Sequence, residues 1–214
     1  MLKYFREDWT SEPDAFYQVY IGSMTKYSSN RIVSLLIVIL LTNMGFAQNF
    51  KNMVILENFK PEKQLNWQII NDGVMGGKSS SSLIIEADRG VFSGNVSLEN
   101  NGGFASTRAS LESINLPGTS KIIIRVKGDG KTYQFRVRTN NRFDGIAYRV
   151  LFNTEKDKWA EHEFTAEDFL AVFRGMKVTS APKLKFEDIQ QIGFLISEKQ
   201  EGIFTLKVDW IACK

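Results

Sequence analysis

The sequence predicts an all-β protein, an antiparallel β-sandwich of jelly-roll type with one or two short helices. Beyond residue 52, apolar residues recur on a period of two, and clusters of Gly, Asn and Asp break the alternation at short intervals. No glycine-rich βαβ unit, heptad run or internal repeat competes with that pattern.

The elements follow in chain order. SSSLII at 80–85 reads as a strand with alternating serines, because its β-branched end suits a pleated surface. GVFSGNVSL at 90–98 places Phe92, Val96 and Leu98 on one face and the serines on the other. NNGG at 100–103 tolerates positive φ and predicts a hairpin turn. A second and stronger hairpin is predicted where Ile122, Ile124 and Val126 lead into GDG at 128–130 and Tyr133, Phe135 and Val137 lead back. Further strands are predicted at 146–153, 159–164, 191–197 and 203–211. A short helix is predicted at 166–173, with Thr165 as its cap and Glu167 and Asp168 in the first turn, and a second short turn at 185–190.

Ahead of these strands lies IVSLLIVILL at 32–41, preceded by Lys26 and Arg31 and followed by small residues at Gly45 and Ala47. A cationic stretch, an apolar run of this length and a small-residue site make a signal peptide over 24–47, cleaved after Ala47. The run falls short of the ~20 apolar residues of a comfortable membrane span, although an uncleaved anchor is the other reading. Glu7, Asp8, Glu12 and Asp14 do not belong in a leader, so residues 1–23 read as a mis-assigned extension, with translation starting at Met24. Residues 48–214 then form a single sandwich domain, exported to the periplasm or secreted. A domain of that size buries roughly 70% of its unfolded surface and stands without disulfides or metals.

Composition excludes several functions. The 27 basic and 24 acidic residues are interspersed, with a net charge of +3, so the footprint of a nucleic-acid binder is absent. One cysteine, Cys213, and one histidine, His162, offer neither an intrachain disulfide nor a His cluster for a metal. DGVMGGKS at 72–79 looks like a phosphate-binding loop, but an aspartate stands where that motif needs its first glycine, and a strand follows instead of a helix. No nucleophile, base and orienter can be assembled around His162, and no cofactor is implied.

The remaining candidates each carry two readings. Asp72-Gly73 and Gly76-Gly77 supply turn geometry, or they help the 100–104 loop and Arg108 to grip a polar ligand with backbone amides and Asn101. Arg136 and Arg138 share a strand face opposite Phe135 and Val137. With Arg108, these arginines form fold-locking bridges to Asp72 or Glu99, or they bind a carboxylate, phosphate or sugar hydroxyl. The four tryptophans, Trp9, Trp67, Trp159 and Trp210, read first as core and second as platforms for sugar rings. Asp129, between two glycines, reads as a turn residue before it reads as a calcium ligand.

Several phrases carry a resemblance: Trp67 followed by NDGVMGG at 71–77 with Ser79 and Ser81; GVFSG at 90–94; NNGGFAS at 100–106 with Arg108; GDGK at 128–131 with Tyr133 and Phe135; Trp159 with Phe164 and Phe169; Arg174-Gly175; and Gly202-Ile203-Phe204. In this order and spacing, over roughly residues 55–211, the chain resembles the complex I intermediate-associated protein 30 family. The resemblance implies a galactose-binding-like β-sandwich and a chaperone-like assembly factor without catalytic residues. It also implies a protein partner, such as an assembly intermediate of a respiratory complex. Because sandwiches of this type also bind sugars, a carbohydrate-binding module of the cell envelope is the second reading, with a glycan as ligand. The residues expected to bind are Asp72, Met75, Asn101, Phe104, Arg108 and Arg138.

Overall fold

The alternation of apolar residues builds two sheets that bury one core between them. A computed structural model describes residues 53–111, 116 and 118–214, and residues 53–214 make up one compact unit. The leader at 24–47, the extension at 1–23 and Trp9 lie outside the described residues.

The first sheet contains β1 (Val54–Glu57), β3 (Ser80–Ile85), β4 (Gly90–Val96), β6 (Ile122–Lys127), β9 (Trp159–Phe164) and β13 (Gly202–Cys213). Its order is β3-β4-β13-β6-β9, and β1 pairs with the C-terminal part of the long β13. The second sheet contains β2 (Trp67–Ile69), β5 (Ala105–Ser110), β7 (Thr132–Arg138), β8 (Ala147–Asn153), β10 (Leu170–Phe173), β11 (Met176–Lys177) and β12 (Gln191–Ile196), in the order β11-β10-β8-β7-β12-β5-β2. The strand pairings within both sheets are antiparallel. Phe92, Ile122, Ile124, Phe204 and Leu206 of the first sheet meet Tyr133, Phe135, Phe152, Ile192 and Phe194 of the second in a shared core. Edge and stacked aromatic contacts cross it, for example Phe204 against Tyr133 at 6.4 Å between ring centres.

The predicted fold class stands, and the structure corrects the local connections. Neither predicted hairpin is one. The NNGG turn leaves β4 in the first sheet and delivers the chain to β5 in the second, and the GDG corner carries it from β6 to β7 across the same gap. Two strands with inward apolar residues look alike in sequence whether they lie side by side or face each other, so alternation cannot separate the two arrangements. At the second corner Asp129 accepts hydrogen bonds from Lys131 N (3.2 Å), Tyr133 Oη (2.9 Å) and Thr205 N (3.0 Å), which commits its carboxylate to the fold.

The helix predicted at 166–173 is a 3-10 turn, Ala166–Asp168, followed by strand β10. Asp168 accepts from Thr165 N and Thr165 Oγ1, which closes a capping box, and Leu170, Ala171 and Val172 then pair with β8. The 185–190 turn is a second 3-10 turn, Phe186–Asp188. The described residues contain no α-helix, and none is long and apolar enough to cross a membrane. Leu98 lies past the end of β4 and is exposed rather than aligned with Phe92 and Val96.

Candidate functional site

Two regions collect the residues that the sequence singled out, and they differ in how their charges are treated. The first is a loop rim. The 3-10 turn Asp72–Met75 ends in Gly76 at φ +89°, a left-handed conformation that glycine adopts without strain. This geometry turns the Asp72 carboxylate inward, where it is fully buried. There it accepts four hydrogen bonds: Ser79 N at 2.9 Å, Ser79 Oγ at 2.5 Å, Gly103 N at 2.7 Å and Phe104 N at 3.2 Å.

Burial opposes ionisation of Asp72, but the donors from Ser79, Gly103 and Phe104 outweigh it and hold the carboxyl below its usual range. Gly77 and Gly102 make room for it, since a Cβ on them would lie 2.4 Å from Asp72 Cγ and 2.6 Å from Asp72 Oδ2. Asn71 Oδ1 adds a second tie, accepting from Ser81 Oγ at 2.8 Å and Ser106 N at 3.3 Å. Around this knot Met75 and Asn101 are exposed and Phe104 is half-buried, while Lys78 pairs with Glu99.

The second region is the face of the seven-stranded sheet that points away from the core. Strand register aligns Gln68 of β2, Arg108 of β5, Gly193 of β12, Arg136 of β7 and Arg149 of β8 in one row. The next row places Ser110, Gln191 and Arg138 together. Arg108 and Arg138 therefore meet on this face. They do not join Asp72, Met75, Asn101 and Phe104, because the loop holding those residues feeds the start of β5 whereas Arg138 aligns with its end. The bridge from these arginines to Asp72 or Glu99 does not form: Asp72 is held by neutral donors and Glu99 by Lys78.

The arginines of the face are unequally compensated. Arg149 pairs with Glu198 at 2.9 Å, Arg138 donates to Gly145 O at 2.9 Å, and Arg108 sits 4.9 Å over the Phe143 ring. Among the described residues no hydrogen bond or ion pair engages the half-buried side chain of Arg136, and its Nε is out of reach of solvent. Burial, and then the charges of Arg138, Arg149 and Arg108, lower the Arg136 guanidinium to about 10. Burial also lowers Arg108 and Arg138, with Asp144 pulling each back up. Beside them Gln191 is only 6% exposed and its Oε1 has no partner.

Of this region the sequence points to Arg108, Arg138 and the shared face of Arg136, but not to Gly193, Gln191, Arg149 or Phe143. An arginine at alternate positions of a strand was the available signal. Which strand lies beside which was not.

His162 is half-buried with its ring 5.0 Å from Phe152 and stacked on Phe164, and its Nε2 is buried without a partner. Burial lowers its pKa. A depression of about 460 Å³ is lined in part by Glu163 and Asp168, but Glu163 pairs with Lys121 and Asp168 closes its capping box. No group of three or more His, Cys, Asp or Glu could hold a metal among the described residues. Trp67 packs on the core between Phe59 and Phe194 and donates to Glu57, as a core residue would. Trp159, read first as core, instead has its ring on the outer face of the first sheet, with the cations of Arg89, Arg125 and Lys127 within 5.7 Å of its centre.

The profile of one protein family, described as complex I intermediate-associated protein 30, matches residues 57–208. Among curated proteins, a probable mitochondrial complex I intermediate-associated protein 30 from Caenorhabditis elegans is 24% identical over 193 residues, covering 80% of this chain and 57% of that protein. Its counterpart from Caenorhabditis briggsae is 23% identical over the same length. The chain thus spans little more than half the length of these relatives. Among solved structures, a family 11 carbohydrate-binding module from Clostridium thermocellum, in complex with a β-1,3-1,4-mixed-linked tetrasaccharide, superposes with a TM-score of 0.57 at 19% identity, covering 75% of this chain and 94% of that chain. The same module of the cellulosomal cellulase Lic26A-Cel5E gives 0.57 at 17% identity. At such identities the likeness is one of fold.

Proposed function

We propose, from the premise that the chain belongs to the complex I intermediate-associated protein 30 family, that it is an exported, non-catalytic binding domain that holds a protein partner in the manner of an assembly factor. The observation that carries the reading is the outer face of the seven-stranded sheet, where four arginines are brought together and one is left without a counter-charge. Arginine in a partly desolvated setting is the side chain on which protein interfaces concentrate their binding energy. The relatives are named for a complex I intermediate, which supports a protein as the partner. A rigid sandwich suits such holding, because its strands fix the arginines before the partner arrives. The arrangement around His162 supports a role without chemistry: its ring packs beside Phe152 and Phe164 with Nε2 buried and unpartnered, and the carboxylates of the nearby depression are engaged in the fold.

The rim residues Asp72, Met75, Asn101 and Phe104 divide between the two tasks. Asp72 shapes the loop from inside with the Phe104 N–H among its donors, and exposed Met75 and Asn101 offer a separate contact surface at the rim. Export rests on the 24–47 leader pattern and sets this chain apart from relatives named as mitochondrial.

A carbohydrate-binding reading draws on one observation, the 64% exposed Phe143 ring beside Arg108. Photo-crosslinking in the native organism separates the two. A crosslinking residue at Leu151, exposed on the arginine face, is expected to capture a discrete protein, while one at Ile84 on the other sheet is not. Equal capture from both positions, or glycan capture alone, defeats the protein reading. Cell fractionation with N-terminal sequencing tests export: a mature protein starting at Gln48 outside the cytosolic membrane is expected, and an intact leader in the cytosol defeats it.

A further inference from the structure

The arginine face contains one row in which the position between two arginines carries no side chain. Gly193 lies on β12 between Arg108 on β5 and Arg136 on β7, at about one strand spacing, ~4.8 Å, from each. It has to be glycine, since a Cβ there would come within 2.4 Å of Thr107 O and 2.9 Å of Arg108 Cβ. The row therefore has a floor with no side chain, flanked by two guanidinium stems. Two residues along β12, the buried Gln191 carboxamide stands beside Arg138 with an oxygen that accepts nothing. A guanidinium without an acceptor, with the like charges of Arg108, Arg138 and Arg149 around it, fits a ligand that brings an oxyanion.

We propose that an acidic segment of the partner protein binds here, with one carboxylate set between the guanidinium groups of Arg108 and Arg136, which flank Gly193. The inference rests on the protein-partner reading given above and identifies the partner's chemistry. A carboxylate matches the planar fork of a guanidinium, and one placed between two of them relieves their mutual repulsion. A peptide fits better than a sugar because no aromatic side chain lies in these rows. Their residues are Gln68, Arg108, Gly193, Arg136 and Arg149, with Ser110, Gln191 and Arg138, and the exposed Phe143 ring stands outside them with Arg108 over one face.

A plain structural role for Arg136, its stem shielding the sheet, makes a different prediction. In that case shortening or replacing the stem destabilises the protein and leaves anion binding unchanged.

The test uses the purified full-length chain, with poly-L-glutamate as probe and polygalacturonate at equal carboxylate concentration as comparator. Poly-L-glutamate is expected to bind saturably and raise Tm. Arg136→Gln is expected to weaken that binding about ten-fold or more, while Lys60→Gln, an exposed cation elsewhere, leaves it unchanged. Arg136→Met, which keeps the length but not the charge, is expected to raise Tm of the free protein by about 2–4 °C and to abolish the further rise with poly-L-glutamate. The proposal is overturned if Arg136→Gln binds as the unaltered protein does, if Arg136→Met lowers Tm, or if polygalacturonate binds more tightly than poly-L-glutamate. Crosslinking at Leu151 distinguishes the two failures: protein capture that Arg136→Gln does not diminish removes this inference alone, whereas absence of capture removes the reading beneath it.

Discussion

The loop rim and the arginine face both take charge out of water, and they treat it in opposite ways. Asp72 is fully buried and receives four hydrogen bonds from three residues, two of them supplied by the loop 31 or 32 positions further on. Arg136 receives no acceptor, and its nearest charged neighbours in the row carry the same sign. A buried charge that the fold satisfies completely is a fastener, and it has nothing left to offer a ligand. One that the fold leaves unanswered costs stability, and a partner can return that stability on binding. The conspicuous NDGVMGG phrase therefore serves architecture, and the recognition proposed above falls to the plainer TYQFRVR strand.

The largest expected effect breaks the fastener. Asp72→Ala leaves the N–H groups of Ser79, Gly103 and Phe104 buried without an acceptor, and urea unfolding should show a loss of about 3–5 kcal/mol. Gly102→Ala should follow at about 1–3 kcal/mol, because its Cβ would lie 2.6 Å from Asp72 Oδ2 and the carboxylate would have to move off its donors. At the arginine face the sign reverses. Arg136→Met should stabilise the free protein by about 1 kcal/mol in the same measurement, since it removes an uncompensated cation rather than a partnered one.

The smallest effect sharpens the comparison through pH. Burial lowers the folded pKa of His162 below its ordinary 6.5, so the unfolded chain takes up that proton first and stability falls as pH drops below 6.5. The folded pKa of Asp72 is also depressed, so its contribution is complete above the ordinary 3.8 and is lost as pH falls below that value and through the folded pKa. Acid unfolding should therefore show two steps of weakening, and His162→Phe should remove only the upper one.

Strand positions were legible because side-chain alternation is local. β9 (Trp159–Phe164) has its predicted bounds, and Phe135 and Val137 face the core opposite Arg136 and Arg138 as the period of two requires. The turn at 100–103 was legible as a place for positive φ, which Asn100 at 55° and Asn101 at 58° adopt. Its destination was not, because a corner between sheets and a hairpin within one use the same turn residues. The stretch at 166–173 misled for a related reason: the cap signals at Thr165 and Asp168 are genuine, but they close a single turn, and pairing with β8 draws the following residues into a strand.

The amino-acid sequence by itself determined the class of fold and the family, and in strands such as β4 and β7 the inward and outward faces, since alternation is set by residues near one another along the chain. Only the tertiary structure decided which outward residues become neighbours. Gly193 and Arg136 are 57 positions apart, and Arg108 is 85 from Gly193, yet strand register sets the three in one row. Register is settled by how the core packs and where the corners turn, so a row of charge across a sheet exists only once the sheet has formed.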